Sequence, residues 1–221
     1  KEENQKILKE KISDTKYLNF KLKDIADFPE LIEKRNISGL NVTIPYKEKI
    51  IPSLDDLTDS AKTIGAVNTI EFKGDKLIGH NTDVIGFKKS ITPILGNRKK
   101  ILILGSGGSS KAVKHALIEL NLEHKVVGRN TSFNYTDITA DIIGYYDVII
   151  NTTPLGMFPE IYSYPKIPYQ YLNENHLLFD LVYNPSETLF LSYGSKHQCK
   201  IKNGLEMLQI QAEESWNIWT L

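Results

Sequence analysis

Asn41-Val42-Thr43-Ile44-Pro45-Tyr46-Lys47, Gly65-Ala66-Val67-Asn68-Thr69 and Asn81-Thr82-Asp83 are three short stretches dense in polar side chains. Thr43, Lys47, Asn68 and Asp83 offer a hydroxyl, an ammonium, an amide and a carboxylate, each at the end of a segment that reads as a strand. Amides and hydroxyls recognise hydroxyl groups. The set suits a polyhydroxylated ligand. Each residue alone has a plainer reading: Thr43 as a strand former, Lys47 as a surface charge, Asn68 as a turn residue, Asp83 as a helix N-cap.

A second group is built for phosphate. Gly105-Ser106-Gly107-Gly108-Ser109-Ser110-Lys111-Ala112 follows the apolar run Ile101-Leu102-Ile103-Leu104 and opens a helix. Glycines there admit positive φ and let a pyrophosphate approach the backbone amides, and the helix N-terminus favours an anion. Ala112 reads as the third small residue of the fingerprint, where helix packs on strand. The plain reading is a tight strand-to-helix turn with no ligand. The next strand ends Val127-Gly128-Arg129-Asn130. An acidic residue at that position binds ribose hydroxyls in NAD-specific folds. An arginine instead suits a 2′-phosphate and points to NADP; its plain reading is a solvated loop residue.

The elements that must position these residues change character at Lys99. Before it, the patterning predicts a helix over 1–12, a strand over 17–20, a short helix over 28–34, a strand over 39–44 and a helix over 53–63 capped by Ser53. Strands over 67–72 and 76–78 flank Gly74-Asp75, a hairpin signal. A helix over 84–91 breaks near 92–98, at Pro93 and Gly96. After Lys99, apolar strands over 101–104, 124–127, 148–150 and 177–179 alternate with helical segments, and a long amphipathic helix over 204–221 closes the chain. That alternation predicts a doubly wound α/β sheet.

Composition excludes several classes. Lys and Arg number 27, Asp and Glu 27, so no net charge points to nucleic acid. No apolar run is long enough to cross a bilayer, and Lys1 to Ile12 has no signal-peptide pattern. One cysteine, Cys199, precludes an intramolecular disulfide and fits a reducing, cytoplasmic setting. The partners expected are small molecules, with no nucleic acid, no membrane and a monomer or homodimer.

Taken in order, NVTIPYKE (41–48), GAVNT (65–69), NTD (81–83) with Gly86, GSGGSSKA (105–112), NTTPLGM (151–157), DLVYNP (180–185) and NGLEMLQIQA (203–212) resemble the shikimate dehydrogenase family over essentially the whole chain. The resemblance implies NADP-dependent reduction of 3-dehydroshikimate to shikimate. It implies a Rossmann-type nucleotide domain over 83–204 and a smaller α/β substrate domain over 1–82 and 205–221, with a cleft between them. It casts Lys47 and Asp83 as the catalytic pair. Thr43, Asn68, Asp83, Tyr183 and Gln211 become substrate ligands. Gly105, Ser106, Gly107, Gly108, Ser109, Arg129, Thr152, Met157 and Gly204 fall on the coenzyme side. No metal is implied. Two departures stand out. The family's opening strand and its Ser-x-Ser motif, which holds the substrate carboxylate, have no counterpart here, so a lacking first strand is expected. The family's Asn-Arg-Thr coenzyme motif reads Gly128-Arg129-Asn130. Two other functions share most of these motifs: a quinate/shikimate dehydrogenase using NAD, and a Rossmann module that binds without turnover.

Overall fold

The computed structural model describes residues 16–33 and 37–220. A 3₁₀ turn, Ile25–Asp27, closed by an Asp24 capping box, leads into helix α1 (Phe28–Glu33). Strand β1 (Gly39–Asn41), a 3₁₀ turn Ile51–Ser53 and strand β2 (Asp56–Leu57) follow. Helix α2 (Asp59–Ile64) then precedes the hairpin β3 (Thr69–Lys73) and β4 (Lys76–His80), and helix α3 spans Asp83–Leu95. The second half alternates: β5 (Lys100–Leu104), α4 (Gly108–Glu119), β6 (Glu123–Val127), α5 (Ala140–Tyr145), β7 (Val148–Asn151), β8 (Leu177–Asp180), α6 (Leu189–Lys196), β9 (Lys200–Lys202) and α7 (Leu205–Thr220).

Two sheets result. The first has the order β1-β3-β4-β2, antiparallel except where β2 runs parallel to β4. The second has the order β6-β5-β7-β8-β9 and is wholly parallel. The second sheet is buried on both faces, which is why β5, β7 and β8 are continuous apolar runs without alternation. Ile101, Ile103, Val148, Ile150 and Phe179 pack toward α3, α4 and Met207 of α7. Leu102, Leu104, Ile149 and Leu178 pack on the other face with Phe190, Leu191 and Ile143. A separate core of Phe28, Ile50, Ala61, Val67 and Ile70 sits on the first sheet. This is a doubly wound α/β fold joined to a smaller α/β layer.

Several expectations need correction. Residues 17–20 form no strand: Tyr17 instead donates from its hydroxyl to Asn41 Oδ1 at 3.2 Å. Ser53 caps no helix. The chain spends 51–57 on a 3₁₀ turn and β2, and the helix starts at Asp59 under Thr58, whose hydroxyl accepts from Ala61 N–H. Thr58 wins because its hydroxyl faces the free amides, whereas residues 56–57 pair with β4. Pro93 does not break α3, which runs to Leu95 with the proline inside its last turn. The strand over 39–44 stops at Asn41, and the helix expected over 1–12 lies outside the described residues.

Candidate active site

Lys47 is held by its main chain before its side chain does anything. Tyr46 N–H donates to Thr43 O at 2.9 Å, closing the turn at the cis Ile44–Pro45 bond, and Val67 N–H donates to Lys47 O at 2.7 Å. The second bond fixes Lys47 beside the approach to β3, one residue from Asn68. Asp83 is the first residue of α3. Lys47 Nζ meets Asp83 Oδ2 at 2.5 Å, with only 13% and 7% of the two side chains exposed. A charge pair so desolvated depends on its remaining hydrogen bonds being satisfied.

Asn68 supplies that satisfaction. Its Nδ2 donates to Asp83 Oδ1 at 3.0 Å and to Thr82 Oγ1 at 2.9 Å, with Gln211 Oε1 at 3.2 Å. The amide's orientation is decided by the backbone: Thr82 N–H donates to Asn68 Oδ1 at 2.7 Å, so the opposite atom must be the NH₂ facing Asp83. Gln211 reaches the group from α7, with its Nε2 donating to Leu208 O at 3.1 Å. Gly86 makes this possible, because a Cβ there would lie 2.7 Å from Met207 O and 3.1 Å from Gln211 Cβ. Beneath them, buried Thr69, Thr82 and Ser215 share hydroxyl bonds, with Thr69 Oγ1 and Ser215 Oγ 2.7 Å apart. Asn41 Nδ2 donates to Ser215 Oγ at 3.1 Å.

The glycine turn sits across from this group. Gly105 has φ 113°, and a Cβ there would be 2.5 Å from Thr152 Oγ1, so only glycine fits. Gly107 is the N-cap of α4, makes no side-chain cap, and has open space where a Cβ would project. That leaves room beside the first turn of α4, and a helix N-terminus with free amides suits a pyrophosphate. By count from Gly105 and Gly107 the third small position is Ser110, not Ala112; both are buried. Gly128, at the end of β6, lies against Ser106, and Arg129 beyond it is exposed and makes no ion pair among the described residues. The residues fit a dinucleotide with a 2′-phosphate.

The comparisons with known proteins agree. A profile described as "Shikimate dehydrogenase substrate binding domain" matches residues 2–70. A shikimate dehydrogenase (NADP(+)) of Methanococcus vannielii is 38% identical, the match covering 91% of this chain and 78% of that protein. The chain belongs to the shikimate dehydrogenase family. The crystal structure of shikimate dehydrogenase 1 from Peptoclostridium difficile superposes with a TM-score of 0.87 at 35% identity, over 98% of this chain and 84% of that one. A shikimate dehydrogenase solved in complex with NADP+ superposes with a TM-score of 0.84 at 31% identity, over 99% and 84%.

Of the residues that the family resemblance singles out, Lys47, Asp83, Asn68 and Gln211 come together in one hydrogen-bonded group. Thr43 is exposed on the turn before Lys47, and among the described residues its hydroxyl makes no hydrogen bond to them. Tyr183, 45% exposed after β8, and Met157, 42% exposed after β7, lie on strand-end loops of the second sheet. Gly204 packs where a Cβ would be 2.1 Å from Leu181 O, closing β9's loop onto β8's. Sequence reasoning missed Thr82, Ser215 and Asp180. Asp180 is fully buried at the end of β8 and accepts from Asn151 Nδ2, Val182 N–H and Thr188 Oγ1. Burial pushes its carboxyl up to about 6, and those three bonds pull the other way. An aspartate in the midst of an apolar strand end was the available signal.

Proposed function

We propose that this chain catalyses the NADP-dependent reduction of 3-dehydroshikimate to shikimate, with Lys47 and Asp83 as its catalytic pair. The observation that carries the reading is the convergence of Lys47, Asp83, Asn68 and Gln211 from four separate segments. The cradle at Gly105–Ser109 would hold the pyrophosphate, Arg129 the 2′-phosphate, and Thr152, Met157 and Gly204 the nicotinamide end. The bound dinucleotide supplies the hydride.

The chain's own groups do the rest. Lys47 Nζ stands ready to donate a proton to the ketone oxygen as negative charge develops there. Asp83 aims that ammonium through Oδ2 while its Oδ1 is held by Asn68. Asn68, Gln211 and Thr43 are the amide and hydroxyl partners of the ring hydroxyls, with Tyr183 at the rim. Residues 1–82 with 205–221 form the substrate domain in this reading, and 83–204 the nucleotide domain. The test is direct: the purified chain with NADP+ and shikimate should generate NADPH absorbance. Binding of NADP+ without turnover of shikimate or quinate would leave the module that binds only.

A further inference from the structure

The dipeptide Lys47–Glu48 is gripped from the coenzyme side by the first turn of α4. Gly108 lies against Lys47: a Cβ at Gly108 would sit 3.1 Å from Lys47 Cβ and 3.5 Å from Ala66 Cβ. Three residues on, and so on the same face of the helix, Lys111 Nζ meets Glu48 Oε2 at 2.5 Å. Lys111 N–H donates to Gly107 O at 3.1 Å, so the residue making the ion pair belongs to the same turn as the phosphate cradle. Lys47 thus has three restraints: its carbonyl on Val67 N–H, its ammonium on Asp83, and its stem against Gly108 with the next residue tied to Lys111. The first two come from elements around the substrate group; the third comes from the coenzyme turn.

We infer that Glu48 and Lys111 are positioning residues for Lys47, coupling the placement of its ammonium to the helix that carries the phosphate cradle. The inference rests on the function proposed above. Both side chains are more than two-fifths exposed, at 43% and 41%, so water and salt screen the pair. Exposed pairs are worth about 0.2–1 kcal/mol, which corresponds to an effect of up to about fivefold. The chemistry predicts that this effect falls on kcat, because what the pair holds is the proton donor.

The experiment is a double-mutant cycle with Glu48→Gln, Lys111→Met, their combination, and the charge-reversed pair E48K/K111E, each checked for an unchanged melting temperature. Parent turnover of shikimate with NADP+ is measured first; its absence would overturn the proposed function and this inference with it. With turnover present, each single variant should lower kcat about two- to fivefold, with both KM values within twofold. The double variant should be no worse than the poorer single, and the reversed pair should recover most of kcat. Raising NaCl to decimolar levels should slow the parent toward the single variants. Unchanged kcat in the singles, multiplied losses in the double variant, or a rise confined to the KM for NADP+ in Lys111→Met would each overturn the inference.

Discussion

At Asn68 a main-chain donor decides the orientation of a side chain in the proposed catalytic group. The Thr82 amide fixes Asn68 Oδ1, Asn68 Nδ2 then fixes Asp83, and Asp83 aims Lys47. Each link is a single hydrogen bond in a place with little water, where a missing partner costs more than an average bond contributes. Lys47→Ala should therefore lower kcat by about 10²–10⁴, the range general acid assistance covers, while the Kd for NADP+ stays within twofold. Steady-state kinetics with fluorescence titration of coenzyme checks both. Arg129→Ala should raise the KM for NADPH about ten- to a hundredfold and that for NADH little, since a lost charge-assisted contact costs roughly 1.5–3 kcal/mol. Asp180 predicts a pH effect on stability. Its folded-state carboxyl is raised to about 6 against an ordinary 3.8, so the fold favours the protonated form. The contribution is fully present below the ordinary value and is lost as pH rises through about 6. Two units correspond to about 3 kcal/mol. Asp180→Asn keeps an acceptor for Asn151 and Val182 and a polar partner for Thr188. Relative to the parent it should gain stability between pH 4 and 7, measured by urea unfolding at each end.

At the scale of elements, the approach of α7 to α3 puts Gln211 on Asn68. α3 presents Gly86 to α7, with no room for a methyl group in front of Met207 O. An alanine in an exposed helix interior would help by about 1 kcal/mol relative to glycine. Here overpacking against a carbonyl costs about 1–3 kcal/mol and should prevail. Gly86→Ala should thus lower the urea midpoint and raise the KM for shikimate, because α7 must move and carries Gln211 with it. An unchanged KM alongside a lowered midpoint would separate packing from the site. The parallel strands act likewise on the other ligand: the ends of β5, β6, β7, β8 and β9 bring Gly105, Gly128, Thr152, Leu181 and Gly204 to one edge of the sheet. Ligands of open α/β sheets bind outside those carboxyl ends.

Over the whole molecule, two cores are joined by helices rather than by one continuous sheet. One covers both faces of the parallel sheet, with α3, α4 and Met207 on one face only; the other lies on the first sheet. A ligand that bridges them should stabilise the folded state by mass action. NADP+ at a hundred times its Kd adds about 2.7 kcal/mol, or roughly 5–10 °C in melting temperature for a chain this long. Differential scanning fluorimetry with and without NADP+ reads the shift directly. Adenosine 2′,5′-bisphosphate, which lacks the nicotinamide, should give part of it.

The parallel sheet was legible from the residues themselves, because strands buried on both faces must be apolar throughout and Ile101-Leu102-Ile103-Leu104 has no other use. The glycine turn was legible for the same kind of reason: its backbone geometry admits few residue types. Lys47, Asp83, Asn68 and Gln211 stood out as motif residues, yet their meeting depends on β1, β3, α3 and α7, and no local pattern states how α7 packs. Local signals failed where tertiary pairing outbid them. Ser53 lost its helix to β2, whose two residues pair with β4. Pro93 gives up its one bond to the carbonyl four residues back, but only two helical residues follow it, so the helix simply ends there. Asp180 carried a signal, a carboxylate ending an apolar strand, but Thr82 and Ser215 carried none, since a buried hydroxyl is recognised only once its partners, distant in sequence, have been brought to it.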